Sequence, residues 1–121
     1  MRHGPTIAVV DDDSEVRASL ENFLRATGLT VRCFAGARAF LDDADPGDCV
    51  ITDLHMPDMD GLALLDVLAA RGSTIPVIVM TAFPTETARA RSEAFGVVEF
   101  LTKPVDPEAL FEAIEAALSE P

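Results

Sequence analysis

The chain has 121 residues, 49% of them hydrophobic and 25% charged, with a formal net charge of −12. That length suits a single domain spanning 1–121, and the composition is that of a chain that buries a core rather than one that stays disordered. So acidic a chain repels the phosphate backbone, which excludes direct nucleic-acid binding, and no apolar run approaches membrane-spanning length.

The opening Met1-Arg2-His3-Gly4-Pro5 leads straight into an apolar run, without an h-region or a small-residue cleavage site, which predicts a cytoplasmic protein. Ile7 to Val10 reads as a buried strand and is followed by Asp11-Asp12-Asp13. Val16, Leu20, Phe23 and Leu24 then share one helical face, and Gly28 stands where the helix should end. Thr30 to Phe34 mixes polar and apolar residues like an edge strand. A short helix follows over Ala37 to Asp43, then a turn at Asp45-Pro46-Gly47. Cys49 to Thr52 forms the third strand. Leu62, Leu65 and Leu68 make the stripe of the third helix, Val77 to Met80 the fourth strand, and Thr85 to Phe95 a fourth helix. Because the apolar residues of that helix are mainly alanines, it should be the most loosely held. Val97 to Leu101 is the fifth strand, and Leu110, Phe111, Ile114 and Leu118 line the last helix. Cys33 and Cys49 show neither metal-ligand spacing nor a disulfide framework and read as small buried residues.

Strands alternating with helices predict a parallel sheet covered on both faces. Right-handed crossovers then give a flavodoxin-like doubly wound (βα)5 sandwich with strand order 2-1-3-4-5. Ligands of such sheets bind beyond the carboxyl ends of the strands, at the switch point between strands one and three. Those ends carry Asp11-Asp12-Asp13, Asp53, Thr81 and Lys103-Pro104. Taken singly, each has a plain explanation as a helix cap or loop residue. Together they are harder to dismiss, because two carboxylates about 4 Å apart repel by ~4 kcal/mol at an effective dielectric constant of ~20. A cation or a proton must relieve that repulsion. Oxygen donors with room for water suit Mg²⁺, which also binds phosphate oxygens. A carboxylate nucleophile, a hydroxyl and an ammonium, supplied by Asp53, Thr81 and Lys103, complete a site for handling phosphate.

Over about residues 6 to 119 the chain resembles the receiver domains of two-component response regulators. The resemblance is carried by Val10-Asp11-Asp12, by Asp53-Leu54-His55-Met56-Pro57-Asp58-Met59-Asp60-Gly61, by Met80-Thr81-Ala82 and by Phe100-Leu101-Thr102-Lys103-Pro104, in that order and spacing. The wording around Asp53 and Lys103 is most similar to the FixJ-like group. The resemblance implies that Asp53 accepts a phosphoryl group from a sensor histidine kinase or an acyl phosphate. It implies Mg²⁺ held by Asp12 and Asp53 directly, by Asp11 through water, and by the backbone carbonyl of His55, with Asp13 outside this set. Thr81 and Lys103 would contact phosphoryl oxygens, and Thr81 with Phe100 would form the switch. Pro57 and Gly61 would shape the loop behind Asp53, and the Lys103–Pro104 peptide is expected to be cis. Output would be read from the surface of helix four and strand five. On that surface Arg89 and Arg91 could pair with Glu99 and Asp106 across a homodimer formed on phosphorylation. The output implied is transcription, through a domain not present in this chain.

The His55 ring could shield the phosphoryl group or face solvent, and ligation of Mg²⁺ by it is disfavoured. Phe83 stands where many relatives carry a polar residue, which suggests slow loss of the phosphoryl group. Two other readings remain at this point. One is a phosphatase with an aspartyl intermediate, using the D-x-D spacing of Asp11 and Asp13, although Asp53 would then have no role. The other is a receiver-like module that no longer takes phosphate, although no pocket residue is missing.

Overall fold

The computed structural model describes residues 5–119, so the readings that fall on residues 1–4 and on Pro121 lie outside the described part. The elements run β1 (Thr6–Val10), α1 (Ser14–Ala26), β2 (Thr30–Phe34), α2 (Ala37–Asp42), β3 (Cys49–Asp53), α3 (Gly61–Ala70), β4 (Val77–Thr81), α4 (Glu86–Phe95), β5 (Glu99–Thr102) and α5 (Pro107–Leu118). The five strands form one parallel sheet in the order β2-β1-β3-β4-β5. This is the flavodoxin-like arrangement that the alternation of elements predicts.

Side chains alternate across each strand and so divide the core in two. Ala8, Val10, Val50, Val77 and Val79 pack with α2, α3 and α4 on one face. Ile7, Val9, Ile51, Ile78 and Met80 pack with α1 and α5 on the other. Strands β1, β3 and β4 are buried almost throughout because helices cover both their faces.

Several local expectations need correction. Helix α2 stops at Asp42, because the Asp43 side chain turns away to accept from the Asp45 amide and to pair with Arg32. Strand β5 starts at Glu99 rather than Val97. Gly96 ends α4 in the left-handed conformation (φ 96°), and the Val97 amide bonds back to the Ser92 carbonyl, so Val97 belongs to the helix terminus. In α5 the fully buried positions are Leu110, Ala113, Ile114 and Ala117, an i, i+3, i+4, i+7 set, while Phe111 and Leu118 flank it half-buried. In α3, Leu64 is buried and Leu62 only partly so.

Cys49 is buried, and burial pushes its thiol up to about 12. Cys33, by contrast, is exposed. Strand β2 is the sheet edge, and Cys33 lies at the margin of α1, its Sγ 4.0 Å from the Arg17 carbonyl oxygen and 3.9 Å from the Glu21 carboxylate.

Candidate phosphoacceptor site

The carboxyl ends of β1 and β3 bring Asp11, Asp12 and Asp53 together, with one carboxylate oxygen from each within 4.8 Å of the others. Asp11 is 0% and Asp53 6% exposed, whereas Asp12 faces solvent. From the far side of the sheet Lys103 reaches in. Its Nζ donates to Asp11 Oδ2 at 2.9 Å and to Asp53 Oδ2 at 3.2 Å. The Lys103–Pro104 peptide is cis.

The electrostatics follow from this crowding. Burial pushes the Asp11 carboxyl above its ordinary pKa, and the neighbouring Asp53 adds to the rise. The Asp13 amide and Lys103 oppose it without cancelling it. Burial also pulls the Lys103 ammonium down, but the hydrogen bonds and charges of Asp11 and Asp53 outweigh that and leave it above the usual lysine value. One ammonium thus faces three carboxylates. Oxygen donors alone, with charge left uncompensated, are what a hard divalent cation requires, so the donor set fits Mg²⁺.

The Asp53 carboxylate is fixed from behind. Asp53 Oδ1 accepts from the Leu54 amide at 2.7 Å and from the His55 amide at 3.4 Å. The Gly61 amide closes the loop onto the Leu54 carbonyl at 2.9 Å. A Cβ at Gly61 would lie 2.5 Å from the Asp53 carbonyl oxygen. Glycine is there for close approach, since its φ is not positive. Pro57 is exposed in the same loop.

Thr81 is buried at the end of β4, and its Oγ1 accepts from the Phe83 amide at 3.0 Å. With that lone pair engaged, the hydroxyl proton is left to point elsewhere. Phe100 is 9% exposed and lies inward, beneath the Arg89 guanidinium at 4.6 Å from the ring centroid. The ring of His55 is exposed and meets Phe83 edge-on, with centroids 5.3 Å apart. Asp13 caps α1, accepting from the Glu15 and Val16 amides. That accounts for it without chemistry and weakens the D-x-D phosphatase reading. Arg91 pairs with Asp66 of α3 at 2.8 Å within the chain.

Three contacts were not anticipated from sequence. Arg17 donates to the Asp11 carbonyl at 2.7 Å, Arg89 stacks on Phe100, and Asp58 reaches across to α2. Only Arg17 left a signal, a basic residue one turn into the helix that follows an acidic run. The other two depend on packing between distant segments.

The profile of the family described as "Response regulator receiver domain" matches residues 7–115. The transcriptional regulatory protein FixJ of Azorhizobium caulinodans is 41% identical over 114 residues, 93% of this chain and 54% of that protein. The crystal structure of FixJ-N superposes with a TM-score of 0.84 at 35% identity, covering 100% of this chain and 98% of that one. The response regulator StyR gives a TM-score of 0.86 at 39% identity, over 95% of this chain and 59% of that one. The chain spans about half the length of the curated relatives it matches. No helix among the described residues is long and apolar enough to cross a membrane. Family profile, identity and superposition agree with the geometry at the strand ends: this chain belongs to the receiver domains of two-component response regulators and is FixJ-like.

Proposed function

We propose that Asp53 is the phosphoacceptor of this receiver and that the domain, a single unit over 1–121, catalyses its own modification. The observation that carries this is the placement of Lys103 between Asp11 and Asp53, 2.9 and 3.2 Å away, at a cluster of three convergent carboxylates. A carboxylate oxygen of Asp53 attacks phosphorus as the bond to the donor, a kinase phosphohistidine or an acyl phosphate, breaks. Lys103 pairs with one phosphoryl oxygen, and the Thr81 hydroxyl donates its free proton to another. Asp11, Asp12, Asp53 and the His55 carbonyl would hold Mg²⁺, which when bound neutralises charge on the phosphoryl oxygens.

Once modified, Asp53 no longer offers Lys103 the same carboxylate, and the equilibrium of Thr81 and Phe100 shifts with it. The surface of α4 and β5 carries the result to an output, by the same reading transcription through a further domain, with a homodimer across that surface. Arg89 and Arg91 have partners within the chain, so dimer pairing with Glu99 and Asp106 exchanges one set of contacts for another. The partner is a sensor histidine kinase and the compartment the cytoplasm.

Intact mass after incubation with acetyl phosphate, with and without Mg²⁺, tests the reading. The expected result is a Mg²⁺-dependent gain of one phosphoryl group that is lost in Asp53→Asn. No gain in a folded protein, from acetyl phosphate or from a cognate phosphohistidine donor, would overturn it.

A further inference from the structure

The loop from Leu54 to Asp60 carries the His55 backbone and is pinned at both ends. At its start Leu54 is tied to Asp53 and to Gly61, and at its finish Asp60 caps α3 through the Ala63 amide. Met56 is buried in the core between them. The exposed apex at Pro57 and Asp58 has only one polar attachment to the rest of the fold among the described contacts, and Asp58 provides it. Asp58 Oδ2 accepts from the Arg38 amide at 3.1 Å, while Oδ1 accepts from the Met59 amide at 2.8 Å.

That attachment sits where α2 needs it. The N-cap of α2 is Gly36, which has no side chain to offer, and no acidic residue lies in the first turn. The first amides of a helix require acceptors, and a carboxylate there also meets the positive end of the helix dipole. The acceptor comes from a residue 20 positions further along the chain. Backbone amides, that of Arg38 foremost, hold the Asp58 carboxyl below its ordinary pKa, as expected of a carboxylate kept ionised by donors.

Gly36 is required for space. Its φ of −166° is extended backbone that any residue adopts. A Cβ built there would lie 2.6 Å from Asp58 Oδ2 and 2.8 Å from both Oδ1 and the carboxyl carbon. Any side chain at position 36 therefore evicts the carboxylate from its seat.

We propose that Asp58 is a positioning residue for divalent-cation binding: seated on the N-terminus of α2 in the space Gly36 leaves open, it fixes the loop whose backbone carries His55. This rests on the metal-site reading given above. The geometry of a cation site depends on the groups that hold its ligands nearly as much as on the ligands. A loop anchored at its apex presents a carbonyl in one place, whereas a loop released from α2 presents it in many.

The test uses Mn²⁺ as the probe, followed by electron paramagnetic resonance with Mg²⁺ competition, on the full chain and on Asp58→Ala, Gly36→Ala and the double variant. Each single variant should bind Mn²⁺ roughly tenfold more weakly. Because both remove the same contact, the double variant should bind no more weakly than the weaker single one. Exchange of the Arg38 amide should accelerate in both. A role confined to capping α2 would lower the urea midpoint and leave Mn²⁺ affinity at its starting value, and that result overturns the proposal alone. If the starting protein bound no Mn²⁺, or bound it equally well as Asp53→Asn, the metal-site reading would fall first and take this inference with it.

Discussion

The guanidinium of Arg89, on α4, lies over the ring of Phe100, on β5, with 4.6 Å from its central carbon to the ring centroid. The stack joins α4 to β5 through a side chain outside the buried positions of the helix. Only Ala88 and Ser92 of α4 are buried, and the Ser92 hydroxyl has no hydrogen-bond partner among the described residues. Phe95 adds a partly buried ring to the core, and Arg89 on Phe100 and Arg91 on Asp66 add contacts at the surface of α4.

Arg89→Ala should lower stability by about 0.5–1 kcal/mol, the usual size of an exposed cation–π contact, and free the Phe100 ring. Arg89→Lys should recover only part of this, since the planar guanidinium is what stacks. Urea unfolding measures the first effect and ring-proton exchange of Phe100 the second. Unchanged ring dynamics in Arg89→Ala would show that the stack does not restrain the switch.

Ser92→Ala should act in the opposite direction. Removing a buried hydroxyl without a partner raises stability by about 1 kcal/mol, and alanine also favours the helix. A lower urea midpoint in this variant would mean that the hydroxyl has found a partner in solution.

Asp11 and the pair Asp43 and Asp58 move to opposite sides of the ordinary carboxyl value of 3.8. Burial raises Asp11, so the folded state holds that proton more tightly than the unfolded one. Its contribution to stability is full below 3.8 and lost as pH rises through the raised value. Asp43 is lowered by the Asp45 amide and Arg32, and Asp58 by the Arg38 amide. Their contributions are present above 3.8 and lost as pH falls through the lowered values. Metal-free protein titrated down from neutrality should gain stability before it loses it. Asp11→Asn should remove the gain. If the variant kept it in full, the relief of self-repulsion in a chain of net charge −12 would be the cause instead. At neutral pH, Mg²⁺ at ten times its Kd should stabilise the starting protein by about 1.4 kcal/mol and Asp11→Asn by less.

Gly61→Ala places a methyl group 2.5 Å from the Asp53 carbonyl oxygen and 2.8 Å from Leu54 Cα. Backbone must shift, because neither atom is the end of a flexible side chain. A loss of about 1–3 kcal/mol is expected, with slower phosphorylation because the acceptor moves with its own main chain. Urea unfolding and the rate of mass gain from acetyl phosphate report the two effects. Loss of stability at an unchanged rate would show that the acceptor tolerates the shift.

The sheet order was legible because β1, β3 and β4 are nearly uniform apolar runs and the segments between the strands are long enough to carry crossover helices. The cluster at the strand ends was legible for a related reason: strand register fixes which residues stand at the carboxyl edge, so Asp11, Asp53, Thr81 and Lys103 could be placed from sequence alone. What did not show was contact between side chains from separate elements. Nothing in the pattern of Glu86 to Phe95 marks Arg89 as the one that covers Phe100, and Gly36 gives no sign that its missing side chain makes room for Asp58. Cys33 was misread because Val31 and Phe34, close to it in β2, are apolar, while the edge position of the strand leaves Cys33 itself uncovered.

His55 and Phe83 meet edge-on, 5.3 Å between centroids and 85° between planes, with Phe83 66% exposed. Both are tied to the pocket by their own amides, His55 to Asp53 Oδ1 and Phe83 to Thr81 Oγ1. Water that hydrolyses phosphorylated Asp53 has to be held in line with the bond to phosphorus, and the phenyl ring supplies nothing to hold it. Phe83→Glu supplies a carboxylate that can orient that water and accept its proton, so the half-life of the phosphoryl group should fall roughly tenfold, below the full range of general-base effects because an exposed side chain is imprecisely held. Stability should change by no more than about 0.5 kcal/mol, as for other surface substitutions. Intact mass followed in time after removal of acetyl phosphate measures the half-life. An unchanged half-life in Phe83→Glu would show that access past His55, rather than the chemistry at position 83, sets the rate, and His55→Ala would then be the variant that shortens it.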